Sequence, residues 1–540
     1  MSLKILAWFS TIAHCVSGSL QFLSRPDLSP PKLNITTPAS SDTETGYLFI
    51  TAAIGDIPGS IGPDQPGAYI FQDDGELVWS GVGYFAGWVA NFGPVMIDGK
   101  PALRAFQGDV IAATGRMLGN HAILDNSYRT MNIVQADSHR LSSAHEFEMV
   151  DDSSVLIETP IMTIADLGLY GGDQDQRFLL EGGFQELDLR TGELKFEWSS
   201  QGRMIPGDSA IPLDSHGVFD GRTSKSAWNY FHINSIDKDD QGDYLISARH
   251  YNAIFKINGS TGDIIWQLGG RTGSDFQIPS NAEFAFQHDA RFQYRSKDGE
   301  IEHISFFDNA AYSFPGKEIA PCSRGRYVEL NHTSKMVKEI QTYNAPDNLT
   351  AHTQGSFRFL PSGNRLANWG SAGALTEFAD DGTVLFHAYL DSNPSKNVQS
   401  YRAFRANWTG SPSEEPAVLA MKHREEKVII WVSWNGDTET KTWNFHLQGN
   451  EGVKTMLYLG SAQRLGFETH FEISLASLSF DLKKIEDFSV IAEAVDPHGV
   501  VMRKSRPVAF TRDSPHLRMF ENVGEQKDFH RAARHLRLEL

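Results

Sequence analysis

A chain of 540 residues, 40% hydrophobic and 21% charged, is long enough for a large core and more than one domain. Its ordinary globular composition excludes wholesale disorder. The formal charge of −19 excludes nucleic acid as a partner, because phosphate binding needs a concentrated basic face; it suits an extracellular protein that repels its own kind.

The first element in chain order is a secretory signal. Lys4 precedes an apolar run over residues 5–16, and Ser17, Gly18 and Ser19 offer a cleavage site. The expected leader is 1–18. It is too short to span about 30 Å of hydrocarbon, and no later run reaches the roughly 18 apolar residues of a spanning helix. The mature chain is therefore expected to be secreted, with no integral membrane segment. Cys15 leaves with the leader, and Cys322 then stands alone, without a disulfide partner or a second zinc thiolate. Sequons at Asn34, Asn258, Asn331, Asn348 and Asn407 permit glycosylation.

Next comes a repeat of about 60 residues. AYIFQDDGELVW (68–79), HAILDNSYRTMNIV (121–134), GFQELDLRTGELKFEW (183–198), AIFKINGSTGDIIW (253–266), RYVELNHTSKMVKEI (326–340) and ALTEFADDGTVLFHAY (374–389) share one grammar. A strand is followed by a polar turn and a second strand, often ending in an aromatic, which is a hairpin signal. A second hairpin precedes most copies and opens on His145, His232, His288 or His352, with Asn91 in the same slot of an earlier copy. Two hairpins make a four-stranded sheet. Five such units fill about 88–390, and residues 47–79 with a strand from Tyr401 supply a sixth. The expected fold is all-β: a six-bladed β-propeller over 45–412. From 413 to 511 the strands are short and lack this grammar, as in a small β-sandwich. Residues 512–540 form a polar tail.

The first strand of each propeller blade lines the axis. Matching register therefore directs His145, His232, His288 and His352 to one place. Asn234, two residues after His232, should point the same way. Arg249, His250, Arg291 and Gln354 add donors suited to a tetrahedral anion. Asp289 should face away from His288 and act structurally.

Several stretches resemble the arylsulfotransferase family, especially its fungal secreted branch: 232–270, FAFQHDARF (284–292), FFDNA (306–310) and AHTQGSFRFLPSGN (351–364). The resemblance runs from about 46 to 401. It implies sulfuryl transfer between phenols without a nucleotide donor or other cofactor, through a sulfated histidine. By motif, His288 is the implied nucleophile, and His145, His232, Asn234 and Arg249 are implied to hold the sulfate oxygens. The implied partners are small phenolic molecules. Two departures stand out: the sandwich follows the propeller instead of preceding it, and 115–128 is poor in Gly and His.

Other motifs are missing. Gly99-Lys100 is followed by Pro101 and makes no phosphate loop, His145-Glu146 lacks the second histidine of a zinc helix, and Ser60 lacks the first glycine of a nucleophile elbow. No metal is expected, although clustered imidazoles could take zinc or copper. Two further functions fit such a channel. One is an enzyme of secondary metabolism that isomerises or cyclises a phenolic or polyketide-like substrate; the other is a propeller that only binds ligands.

Overall fold

The computed structural model describes residues 19–55, 62–111, 115–214, 217–311, 318–391, 398–423, 427–449, 456–474 and 488–512. The expected leader, Cys15 and the tail beyond 512 lie outside the described residues.

The polar turns of the repeat build themselves locally. Asn258 Oδ1 accepts the backbone N–H groups of Ser260 and Thr261 at 3.0 and 2.9 Å, and Gly262 closes the turn at φ 74°, where a side chain would be strained. Asp188 does the same for Arg190 and Thr191 at 3.0 and 2.9 Å, with Gly192 at φ 73°. The strands on either side bury both faces. In the strand Tyr244–Ala248, Leu245 packs toward one neighbouring sheet and Ile246 toward the other. Its run of buried residues therefore lacks clean polar alternation.

Apart from the parallel pairing of Thr511–Arg512 with Ala417–His423, the described strands form antiparallel sheets with almost no helix beyond single turns. The first sheet orders Trp88–Ile97, Lys100–Ile111, Arg116–Leu124 and Thr130–Val134. The second orders Phe147–Met149, Ser154–Glu158, Gly183–Asp188 and Leu194–Ser199. The third orders Ile233–Lys238, Tyr244–Ala248, Ala253–Ile257 and Ile264–Gly269. The fourth orders His288–Arg295, Ile301–Asp308, Arg324–Asn331 and Met336–Asn344. The fifth orders Ser356–Phe359, Arg365–Asn368, Ala374–Phe378 and Val384–Tyr389. In the sixth, Tyr47–Ile54, Gly67–Phe71 and Leu77–Ser80 are joined by Val398–Gln399 and Ala403–Ala406 from the far end of the repeats. Two features escape the repeat grammar. Asn34–Thr37 adds a fifth strand to the fifth sheet, and a separate hairpin, Ile161–Ile164 with Phe178–Glu181, interrupts the second.

Each sheet shares an apolar core with the next, and the sixth with the first. Phe49 and Ile70 meet Phe92 and Leu103; Ile123 meets Val155; Phe184 meets Tyr244; Leu245 meets Ile304; Phe307 meets Phe357; and Leu375 meets Leu48. The aromatic ending the fourth strand of a sheet reaches the following one. Trp198 Nε1 donates to the Gly262 carbonyl at 3.0 Å, Trp266 Nε1 to Glu302 at 3.2 Å, and Trp79 stacks on Phe92 at 5.4 Å.

Beyond the repeats lie two more sheets. One holds Ala417–His423, Lys427–Ser433, Glu468–Ser474 and Thr511–Arg512. The other holds Thr442–Gly449, Met456–Gln463, Phe488–Val495, Val501–Lys504 and Val508–Ala509. They enclose one core between them, with Ile430, Val432 and Trp434 from the first and Phe445, Val490 and Ala492 from the second. Asn435 fastens this pair to the sixth sheet by exchanging hydrogen bonds with Ser80 at 2.8 and 2.9 Å. Arg512 still pairs, so regular structure runs one residue into the stretch expected as tail.

Candidate active site

The candidate site begins where the inner strands begin. The first, third and fourth sheets open on ladder shifts, between Ala90 and Gly93, Ile233 and Ser235, and His288 and Arg291. Four non-glycine residues there are left-handed: Asn91 at φ 52°, His232 at 58°, Asp289 at 54° and Gln354 at 63°. Each costs on the order of 1–3 kcal/mol and persists only where its surroundings hold it. Asn234 was expected to point with His232; its amide Nδ2 donates to the Gln287 carbonyl at 2.6 Å. It bridges the third and fourth sheets at the base of the site.

The histidines converge. The His145 and His232 ring centres lie 4.7 Å apart at 78°, and His232 stacks on His250 at 4.5 Å and 28°. One guanidinium nitrogen of Arg249 donates to His250 Nε2 at 2.8 Å and another to the His352 carbonyl at 2.8 Å. His250 Nδ1–H can then donate to the Asn229 carbonyl at 2.5 Å, while the Asn229 amide donates to His232 Nδ1 at 2.7 Å. His145 Nδ1 faces Ser143 Oγ at 2.6 Å and Glu158 Oε2 at 3.2 Å.

His288 joins the group through its electrostatics. The charge of Arg249 acts on its imidazole, and His145 and His232 are coupled to it. Its Nδ1 lies 2.6 Å from Asn309 Oδ1. The Asn309 amide nitrogen donates to the Ala351 and Gln354 carbonyls at 2.8 and 2.9 Å, so the side chain cannot flip without losing both bonds. Oδ1 must then accept, His288 Nδ1 must carry the proton, and Nε2 keeps a lone pair. Among the described residues no hydrogen-bond partner is recorded for that Nε2.

Three expected donors meet protein partners. Arg291 was expected to hold an anion, but its guanidinium is spent on Asp289 at 2.8 Å, Glu146 at 2.6 Å and the Ile236 carbonyl at 2.7 Å. A buried fork saturated by two carboxylates has no donor left for substrate. His352 offers its backbone carbonyl to Arg249, and its ring is half-buried. Gln354 Nε2 donates to Gln399 at 2.5 Å. Asp289, expected to be structural, receives Arg291, Arg358 and the Phe357 N–H. Among the described residues no group of three His, Cys, Asp or Glu side chains is arranged to hold a metal ion.

A profile of the family described as "Arylsulfotransferase (ASST)" matches residues 93–390. That stretch covers more than half of the chain and holds His145, His232, Arg249, His250 and His288. The chain belongs to the arylsulfotransferase family. No curated protein matches the chain by sequence. Among solved structures it is similar to a protein of unknown function from Bacteroides caccae, at 10% identity and a TM-score of 0.36, over 67% of this chain and 98% of that one. It is also similar to a catalytically inactive virginiamycin B lyase from Staphylococcus aureus with quinupristin, at 10% identity and 0.31, over 75% and 97%. A third is apo AztD from Citrobacter koseri, at 8% identity and 0.31, over 68% and 100%.

Ser143, Glu158, Asn229, Asn309 and Tyr401 complete this cluster and escaped the sequence reading. Tyr401 packs its ring on His145 at 5.6 Å. Only Asn309 carried a signal, lying within the FFDNA stretch.

Burial, and then neighbouring positive charge, hold His232, His250 and His288 well below the usual histidine range. All three are neutral in the folded arylsulfotransferase chain near neutral pH. The sign follows from linkage: below about pH 6.5 the unfolded chain takes up protons that the folded one refuses, so stability falls as pH falls. Denaturant titrations should show little histidine-linked change above pH 7. With His121, which burial holds down to about 3, the loss below pH 6.5 should approach four protons, about 5 kcal/mol per pH unit. Unchanged stability between pH 6.5 and 5 would contradict this assignment.

Proposed function

We propose that this chain is an aryl sulfotransferase that moves a sulfuryl group from a phenolic donor to a phenolic acceptor through a sulfated His288. The observation that carries the reading is the bond from His288 Nδ1–H to Asn309. It leaves a neutral nitrogen with a free lone pair among cationic and N–H donors. Nε2 attacks sulfur, the S–O bond breaks, and its electron pair leaves on the aryl oxygen; the acceptor then reverses the sequence. Splitting one hard transfer in two is the gain from a covalent intermediate. Arg249 is oriented by His250 and the His352 carbonyl, and with His232 it would face the sulfuryl oxygens as charge develops there. The positive field that binds sulfate also keeps His288 unprotonated.

The scaffold of this reading is a six-bladed β-propeller over 45–412, with a β-sandwich over 413–511. The cyclic succession of six shared cores supports the first, as does closure of the sixth sheet by strands from both ends. The single core between two sheets supports the second. Residence in the secretory route, with glycosylation at exposed Asn348 and Asn407, belongs to the same proposal. Among the described residues no helix is long and apolar enough to cross a membrane.

Intact-mass spectrometry after incubation with 4-nitrophenyl sulfate tests the function. An acid-labile sulfuryl adduct on His288, formed with a burst of nitrophenol, is expected. An unmodified protein that still transfers sulfate would remove the covalent route. Asn309→Leu should slow adduct formation about 10- to 100-fold, the usual loss when a partner that orients an imidazole is removed. An unaltered rate would show that the tautomer is fixed some other way.

A further inference from the structure

His145 and His288 are held by opposite kinds of partner, and this difference divides their labour. The neutral amide of Asn309 holds His288, so a proton on its second nitrogen would stand uncompensated beside Arg249. His145 Nδ1 instead faces the carboxylate of Glu158, in a buried pair at 3.2 Å, with Ser143 Oγ at 2.6 Å. A carboxylate only accepts, so Nδ1 carries the proton and Nε2 keeps a lone pair. Among the described residues no hydrogen-bond partner is recorded for that Nε2. When Nε2 takes up a proton, Nδ1–H stays paired with the Glu158 carboxylate.

A pocket opens at this pair. His145, Glu158 and Ser143 line it together with Met117, Pro160 and Leu180. Leu180 comes from the hairpin Ile161–Ile164 with Phe178–Glu181, which interrupts the second sheet and has no counterpart among the described residues of the other five. His232, Asn229 and Glu181 line it as well, so the apolar wall faces the imidazoles of His145 and His232 and suits an aromatic ring that carries one hydroxyl.

We propose that this pocket is the acceptor subsite, that His145 is the catalytic acid and base for the phenol, and that Glu158 is its positioning residue. The proposal rests on the sulfuryl-transfer reading above. In the second half-reaction the phenol proton passes to His145 Nε2 as the phenol oxygen attacks sulfur. The N–S bond breaks, and its electron pair returns to His288 Nε2. The imidazolium of His145 then gives its proton to the aryl oxygen that leaves in the next donor half-reaction, so protons balance over a cycle. General base assistance matters in proportion to how strongly the hydroxyl holds its proton. Acceptors that ionise easily need little help.

The test uses the full chain, 4-nitrophenyl sulfate as donor and a graded series of phenols from 4-cyanophenol to 4-methoxyphenol. Glu158→Gln keeps shape and hydrogen bonding but loses the charge. Its turnover with 4-methoxyphenol should fall about 100-fold, within the usual contribution of general base catalysis. With 4-cyanophenol, and in the nitrophenol burst, it should fall only about threefold. Glu158→Asp should recover part of the loss on the basic phenols alone. A uniform fall across the series would make Glu158 merely structural and overturn the proposal, and so would no fall at all. Absence of any burst or transfer by the unaltered chain would overturn the sulfuryl-transfer reading beneath it, and this proposal too.

Discussion

Replacing His288 by alanine is expected to abolish the acid-labile adduct and lower sulfuryl transfer by at least about 10⁴-fold, while the chain stays folded. The magnitude follows from the route. Without Nε2 there is no covalent intermediate, and what remains is the charge stabilisation that Arg249 and His232 give to direct attack by one phenol on another's sulfate. Direct attack needs both phenols in line at one sulfur, a geometry that a two-step enzyme never has to assemble. The fold should survive because His288 contributes a polar group at the head of its strand, and the apolar contacts of that sheet come from Ala290, Ile304 and Phe306. Its bond to Asn309 is lost, but Asn309 keeps both of its donor bonds to Ala351 and Gln354. Adduct detection, burst kinetics and circular dichroism on the same preparation give the three readings. Full transfer by a folded His288→Ala protein would transfer the reading to another nucleophile or a direct displacement.

What the sequence made legible was what short-range chemistry encodes. Turns such as 258–262 carry their own Asx acceptor and left-handed glycine, and aromatics such as Trp198 mark the ends of fourth strands. The repeat could therefore be counted. The histidines were visible because they recur at the starts of inner strands. Their partners were not, because sequence distance hides them. Asn309 lies 21 residues after His288 and meets it across a ladder shift. Glu158 reaches His145 from the next strand, and Asn229 precedes the strand that it serves. Arg291 was misread for a related reason. An arginine two residues after a histidine looks like an anion donor until the buried carboxylates that claim it are known, and one of them, Glu146, comes from the second sheet. Left-handed Asp289 turns its carboxylate toward Arg291, Arg358 and Arg402, a direction that strand alternation could not supply.

The largest stability effect is expected at Glu146, a residue noticed in the sequence only as a zinc motif that fails. It is fully buried. One oxygen accepts Arg402 at 2.6 Å, and the other accepts Arg291 at 2.6 Å and the Ile236 N–H at 3.0 Å. These bonds join the second, third and fourth sheets to the segment that completes the sixth. Burial alone would push its carboxyl up, yet the guanidinium groups of Arg291 and Arg402 outweigh that and hold it well below the usual range. Glu146→Gln preserves volume and most hydrogen bonds but leaves Arg291, Arg358 and Arg402 gathered around Asp289 with one buried negative charge fewer. Removing one partner from a buried ion pair costs about 3–5 kcal/mol, because the other charges stay buried without compensation. Denaturant unfolding should show a loss of that size. Glu146→Gln combined with Arg402→Met should then lose less than the two single changes added together, since the second removes a cation that the first left unpaired. Strict additivity, or a single-variant loss below about 1 kcal/mol, would mean that the cluster does not bind the sheets together. The folded fraction of Glu146→Gln should still form the His288 adduct. Arg402 also depresses the His288 imidazole, and a cluster with more net positive charge keeps that nitrogen neutral and ready to attack.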